Sequence, residues 1–357
     1  MALNLPDAWR AHIDHILAHP GITVAVGDVD TGKTSFCALL ANCALEKGIS
    51  TAVVDCDLGQ SEIGPPGTIG LGIVGSPIAS LGDLEPEELY FVGTTSPVGH
   101  LLAMVTGTGK LVGSPTAADK ELIIVDTPGL VSGLLGRKLQ SSIIEALPAR
   151  HIVALQKAKE AEHFLRFFDT WADCDVHRLP IAPGIHAKSP ILRTQRRASR
   201  FHAYFTHGNS HELPLRELAT SGTWLRTGDT LEPRYLKFAE KSLQTEVLHG
   251  ERIDRGIYLV VKSDYNRRGL DALQEQFKTR SIVTVPANRY PNLLVGLMDE
   301  HLHVLALGIV KGISFRSQTI SVYTPLRSIA PVRSIRFGVL KVRPDGTEIG
   351  SVRPGEL

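Results

Sequence analysis

The sequence predicts an α/β protein: a parallel sheet with helices on both faces, followed by a small, mainly β C-terminal domain. Three observations carry this. Short apolar runs alternate with helical patterns over much of the chain. A glycine-rich loop sits between one such run and a helical segment. From about residue 245 onward, strand patterns crowd together, punctuated by Gly, Pro, Asn and Asp, with one helix among them.

The elements follow in order. Residues 6–18 read as a short amphipathic helix with Trp9, Ile13 and Ile16 on one side, ended by Gly21. Residues 22–26 form a buried strand that leads directly into the glycine loop. Residues 33–46 read as the helix after it, with Phe36, Leu39, Leu40 and Cys43 on one face. Further strands are expected at 51–55, 122–126, 151–155 and 176–180, with helical patterns at 140–147 and 158–168. Continuous apolar strands of this kind suit a parallel sheet covered on both sides. In the tail, strands are expected at 256–261, 281–285, 293–298, 302–309, 319–323 and 335–342, and a helix at 270–278.

Composition narrows the class. At 357 residues the chain exceeds one small domain, and two domains are expected. A net charge of +1 says nothing about partners, so the distribution of charge has to. Cys37, Cys43, Cys56 and Cys174 show no CxxC pairing and no zinc-site spacing. They read as reduced thiols in an intracellular, cytoplasmic protein. The first residues mix acidic and His side chains with apolar ones and lack the apolar core of a signal peptide. No apolar run approaches the roughly 18–20 residues of a membrane span, so no membrane partner is expected.

Four motifs carry chemistry. The first is G-x-x-x-x-G-K-T at Gly27 to Thr34, after a strand and opening a helix. Backbone N–H groups of such a loop point at phosphates, and the helix N-terminus adds partial positive charge. Lys33 reaches the β- and γ-phosphates and the Thr34 hydroxyl binds Mg²⁺ in this pattern. Gly27, Asp28, Asp30, Thr31, Gly32, Lys33, Thr34 and Ser35 are therefore the candidate ATP-binding residues. The second is Asp55-Cys-Asp57-Leu-Gly59-Gln60 at the end of the next strand, where ligands of open parallel sheets sit. Asp57 is the candidate general base and Asp55 the candidate to orient Mg²⁺ or its waters. The plainer alternative for either is a cap on a strand or turn. The third, Asp126-Thr-Pro-Gly129, either binds Mg²⁺ through water, senses the γ-phosphate, or is simply a turn at a strand end.

The fourth motif is a basic stretch. Between Val176 and His211 there is no Asp or Glu, while Arg178, Lys188, Arg193, Arg196, Arg197 and Arg200 lie there. Arg193, Arg197 and Arg200 share one helical face by their spacing. Such a face could close over a transferred phosphoryl group; a solvated helix face is the ordinary alternative. Two other loop chemistries are weakened: no N-K-x-D or T-K-x-D guanine-reading pattern follows a strand, and the second lysine of partitioning ATPases is absent.

These motifs, with Pro66-Gly67-Thr68 and Gly93-Thr-Thr-Ser96-Pro97-Val-Gly-His100, stand in the order found in the Clp1/Grc3 polynucleotide 5′-hydroxyl kinases, and the chain resembles that family. The stretch from Lys188 through Arg193, Arg197, Arg200, Tyr204 and Phe205 resembles its arginine lid. Leu294 to Asp299, Ala306 to Val310 and Val322 to Pro325 resemble its small C-terminal β domain. The resemblance covers the chain from about residue 6.

It implies a P-loop NTPase fold in which residues 1–20 are a short N-terminal helical segment and 21–240 a kinase domain with the lid at about 186–207. Residues 241–357 would be the β domain. It implies transfer of the ATP γ-phosphate to the 5′-OH of RNA or DNA with Mg²⁺. It implies roles for Lys33 and Thr34 on phosphate and Mg²⁺, for Asp57 as base and for Arg193 in the lid. Gln60 and Arg197 complete the candidate catalytic set, and Thr34, Asp55 and Asp126 are the candidate metal residues. Only about 20 residues precede the first strand, as in compact archaeal or bacterial members. One departure is that no tryptophan follows the turn after Asp126, where compact members carry a clasp. Ser96, Pro97 and His100 are left as candidates to hold the terminal base.

Two rival functions share the loop: a small-molecule kinase, and a non-catalytic ATP-binding module of an RNA-processing assembly. The intact Lys33, Thr34, Asp57 and Arg193 set counts against the second. The long basic segments count against the first. One of them, from His301 to Pro344, again lacks acids while carrying Lys311, Arg316, Arg327, Arg333, Arg336, Lys341 and Arg343. These cations are expected to join the lid segment in holding the phosphates behind the 5′ end.

Overall fold

A computed structural model describes residues 7–182, 189–353 and 355–357. The chain divides into two compact units, Met1–Arg200 and Phe201–Leu357. Lys188 and the start of the expected lid, 186–188, lie outside the described residues, as does Pro6.

In the first unit, helix α1 (Asp7–Ala18) buries Trp9, Ile13, Ile16 and Leu17. Trp9 packs edge-on against Phe36 and donates from Nε1 to the Pro180 carbonyl at 2.8 Å. Then come β1 (Ile22–Gly27), α2 (Lys33–Glu46), β2 (Thr51–Asp55), β3 (Thr68–Ile73), β4 (Glu88–Phe91) and α3 (Leu101–Val112). The one-turn α4 (Pro115–Ala118), β5 (Leu122–Asp126), α5 (Gly133–Glu145), β6 (Ala149–Gln156), α6 (Glu162–Phe168) and β7 (Asp175–Pro180) follow. Helix α7 (Pro190–Phe205) contains the division between the units. The strands make one seven-stranded sheet in the order β4-β3-β2-β5-β1-β6-β7.

The sheet is parallel from β2 to β7, as expected, and antiparallel at the β3–β4 edge. A parallel return needs a crossover, usually a helix. None lies between β2 and β3, so β3 runs back beside β2. Alternate strand residues serve two cores. Val24, Val26, Val54 and Val125 face one layer, while Ala25, Val53, Ile124 and Val153 face the other. This is the pattern of a sheet covered on both sides.

The helix expected at 140–147 begins earlier, at Gly133. The one expected at 158–168 begins later, at Glu162, because the Glu160 carboxylate accepts from Lys157 N and Ala158 N and holds a turn there.

The second unit contains two sheets. One runs β10-β11-β12-β13, from β10 (Asp229–Thr230), β11 (Val247–Ile253), β12 (Gly256–Val261) and β13 (Ser281–Pro286). Helices α8 (Pro233–Leu243) and α9 (Gly269–Phe277) cover it through Ala239, Leu243, Leu273 and Phe277. The other comprises β8 (Asn209–Pro214), β14 (Leu293–Met298), β15 (Val304–Ser314), β16 (Thr319–Thr324), β17 (Ser334–Val342) and β18 (Glu348–Ser351). The short β9 (Ala219–Ser221) pairs with β17.

The expected boundary at 240/241 and the observed one at 200/201 differ for a physical reason. β8 pairs along its length with β16, so residues before 240 complete the C-terminal sheet. Tyr204 and Phe205 are held there too: Tyr204 Oη accepts from Leu307 N, and Tyr323 donates to the Phe205 carbonyl at 3.0 Å. Among the described residues, no helix is long and apolar enough to cross a membrane.

Candidate active site

Strands β2, β5 and β1 are neighbours and parallel, so the segments leaving their carboxyl ends meet at one edge of the sheet. The glycine loop leaves β1, the Asp55–Gln60 segment leaves β2, and Asp126 ends β5. Sequence motifs about a hundred positions apart thereby line one cavity of about 400 Å³.

The loop is built by backbone geometry. A Cβ at Gly27 would lie 2.4 Å from the Leu155 carbonyl oxygen, so the chain can leave β1 there only as glycine. Gly32, at φ 89°, is left-handed and turns the loop into α2. Asp30 also adopts positive φ, 55°, a region that short polar side chains tolerate better than most. The Asp28 carbonyl accepts from both Thr31 Oγ1 and Lys33 Nζ, each at 2.9 Å. Lys33 is thus folded onto its own loop and is only 7% exposed. Thr31 to Ser35 line the cavity.

The acidic side has an unequal pair. Thr34 donates to Asp126 Oδ2 at 2.6 Å, and Asp126 Oδ1 is buried with no partner among the described residues. Burial pushes the Asp126 carboxyl up, to about 6, while the Lys33 ammonium and the Thr34 hydroxyl pull it down. A hydroxyl and an unsatisfied carboxylate oxygen are hard donors that suit Mg²⁺.

Asp55 is placed differently from the metal role expected of it. Its Oδ1 accepts from Asp57 N at 2.9 Å, and its Oδ2 accepts from Glu62 N and Ile63 N at 2.5 and 3.1 Å. Both oxygens are spent on fixing the loop after β2. Burial and the neighbouring Asp126 and Asp57 charges push this carboxyl upward. Asp57 lines the cavity; its Oδ1 accepts from Gly59 N and Gln60 N at 2.9 and 3.0 Å. The two carboxylates, adjacent but for Cys56, thus take a fastening and a cavity-facing position.

Gln60 lines the cavity and reaches α7: its Nε2 donates to the Gly59 carbonyl at 2.8 Å and to the Arg193 carbonyl at 3.3 Å. The Arg193 guanidinium donates to Asp30 Oδ2 at 2.6 Å. Arg196 lines the cavity as well, near Glu62 at 3.7 Å. Arg200 donates to the Glu62 carbonyl at 2.8 Å. Arg197, grouped with Arg193 by helical spacing, lies instead at a small neighbouring recess beside Gly59 and Pro66 and donates to Thr194 Oγ1 at 3.2 Å.

Two charged lining residues, Arg196 and Glu62, were not among the expected site residues. Arg196 carried no spacing signal separate from its neighbours, and Glu62 lies outside the acid-free stretch that it partly neutralises. Ser96 and Pro97 are not among the residues lining the cavity, and His100 opens α3 at a separate recess with Leu101 and Leu135.

This arrangement, built around the G-x-x-x-x-G-K-T loop, is that of a P-loop phosphotransferase. Residues 27–207 match the family described as mRNA cleavage and polyadenylation factor CLP1 P-loop. Over 337 residues the chain is 33% identical to the polyribonucleotide 5′-hydroxyl-kinase of Pyrococcus furiosus, covering 94% of this chain and 91% of that protein. It is equally 33% identical over 331 residues to the polyribonucleotide 5′-hydroxyl-kinase of Methanocaldococcus jannaschii, covering 92% and 88%. The chain belongs to this Clp1-type family of polynucleotide 5′-hydroxyl kinases. The solved structure of Clp1p in complex with Pcf11p shares the fold, with a TM-score of 0.59 over 93% of this chain and 77% of that one at 14% identity.

Proposed function

We propose that the cavity transfers the ATP γ-phosphoryl group to the 5′-hydroxyl of a polynucleotide, with Mg²⁺, inside the cell. The observation that carries this is one cavity lined by the glycine loop, Asp57, Asp126 and Arg193. Backbone N–H groups of the loop and the α2 N-terminus bind the β- and γ-phosphates, and Lys33 leaves the Asp28 carbonyl to reach them. Thr34 and Asp126 would hold Mg²⁺, which would neutralise charge on the phosphates. Asp55 keeps the loop after β2 in shape. The 5′-oxygen attacks the γ-phosphorus in line as the bond to the β–γ bridging oxygen breaks and ADP leaves. Asp57 takes the hydroxyl proton. Arg193 and Arg196 stabilise charge on the equatorial oxygens, and Gln60 steadies the lid through the Arg193 carbonyl.

The experiment is incubation with labelled ATP and 5′-OH oligonucleotides of RNA and of DNA, single- and double-stranded, beside free nucleosides. Label on the 5′ ends of oligonucleotides and not on nucleosides is the expected result. Label on nucleosides alone would make the acceptor a small alcohol.

A further inference from the structure

A second constellation lies away from the phosphate loop. His151 sits near the amino end of β6, where its neighbour is Thr23 on β1; the loop leaves from the other end of β1. Helix α1 brings His12 and His15, three residues apart and so on one face, and His19 follows its last turn. Asp175 and His177 alternate on β7 and share a face, and Asp175 is the register partner of His151. His151 and His177 are buried, while His15 is exposed.

The separations are those of a coordination shell. His15 Nε2 lies 3.0 Å from Asp175 Oδ2, and His151 Nδ1 lies 3.8 Å from that same oxygen. His151 Nδ1 is 3.1 Å from His177 Nε2. His15, His151 and His177 each offer a nitrogen within 4.8 Å of the others. Zinc bonds of about 2.0–2.2 Å in a tetrahedron put neighbouring ligand atoms about 3.3–3.6 Å apart, inside the measured range.

The support on His151 fixes which of its nitrogens faces inward. His151 Nε2 is 2.8 Å from the His19 carbonyl, which can only accept, so that nitrogen carries the hydrogen and Nδ1 is left bare. His177 Nδ1 is 3.0 Å from His12 Nδ1, so with its hydrogen on Nδ1 it donates to His12 and presents a bare Nε2. The Arg150 guanidinium, 3.2 Å from the same His19 carbonyl, opposes a cation, and the Asp175 carboxylate offsets it. We propose that His15, His151 and His177 form a binding site for a zinc-class divalent cation, with Asp175, His12 and His19 as its supports, fastening α1 to the β6–β7 edge.

The test uses the untagged full chain, stripped with chelator and then kept in excess Mg²⁺ and ADP so that the phosphate cavity is engaged. Co²⁺ is the probe. The expected result is uptake of a single equivalent with the intense visible bands of tetrahedral cobalt, displaced by Zn²⁺. His15→Ala removes an exposed ligand and Asp175→Asn alters an exposed support, so folding survives. Each should weaken binding by at least the roughly 10- to 100-fold that loss of a mere outer support costs, and each should leave 5′-phosphorylation unchanged. No stoichiometric uptake, the weak bands of an octahedral ion, or binding indifferent to both substitutions would each overturn the proposal.

Discussion

The Arg193 guanidinium and the Asp30 carboxylate meet at 2.6 Å, tying helix α7 to the phosphate loop across the edge of the cavity. Arg193 Nε is buried there with no partner among the described residues. An anion entering the cavity competes with Asp30 for this cation, and a phosphoryl oxygen is the stronger claimant as charge develops on it. Arg193→Ala should therefore lower turnover far more than ATP affinity, within the range of about 10³- to 10⁵-fold known for arginines that act on transferring phosphoryl groups. Single-turnover rates beside nucleotide titration measure the two separately. Unchanged turnover would return α7 to an ordinary solvated face.

Lys33→Ala should abolish transfer and weaken ATP binding together. The ammonium is the only cation within the loop, and in this structure the Asp28 carbonyl holds it ready at 2.9 Å. Calorimetric ATP titration and a turnover assay check both effects. Near-normal turnover in this variant would remove the loop from the reaction.

Asp55 and Asp57 should separate cleanly. Asp57→Asn keeps size and removes basicity, so turnover should fall by about 10²- to 10⁴-fold, the usual worth of a positioned base, while ATP binding is spared. Asp55→Ala should act on stability instead. It strips the acceptor from three backbone N–H groups, and a buried donor left unsatisfied costs about 1–3 kcal/mol. Its melting temperature should drop clearly, and that of Asp57→Asn should hold. The reverse pattern would exchange the two roles.

The same pair shows how far the sequence could be read. The loop, β1 and α2 were legible because glycine chemistry and apolar periodicity are local signals. Two acids two positions apart at a strand end are equivalent on paper. Only the return of the chain at Glu62 and Ile63 decides which one is spent on the backbone. The β3–β4 edge was missed because Thr-Ile-Gly-Leu-Gly-Ile and Glu-Leu-Tyr-Phe are short and give no periodic cue. α3 was missed because Gly107 and Gly109 interrupt its helical pattern. The Arg193–Asp30 contact joins residues 163 positions apart and leaves no trace in spacing. The basic stretch looked uncompensated for the same reason, since Glu62 answers it from the loop after β2.

In the acid-free tail, Arg336 and Lys341 are half-buried and turned to their own unit, near Ser221 Oγ at 3.4 Å and the Asn288 carbonyl at 3.3 Å. Arg333 donates to the Ala330 and Val332 carbonyls. Lys311 and Arg316, by contrast, are exposed on or beside the β15–β16 hairpin, and Arg327 is exposed beyond it. These exposed charges face solvent, where phosphates can be neutralised. Each phosphate neutralised on a single strand contributes about −0.7 to the slope of log K against log salt. Oligonucleotide binding should therefore weaken steeply with salt and ATP binding much less. Replacing Lys311 and Arg316 by Ala should flatten the oligonucleotide slope by about 0.7 for each phosphate no longer neutralised, leaving turnover on a saturating short substrate unchanged. Equal binding of a dinucleotide and a long oligonucleotide at every salt concentration would mean that no phosphate behind the 5′ end is held, and a small alcohol would become the better acceptor.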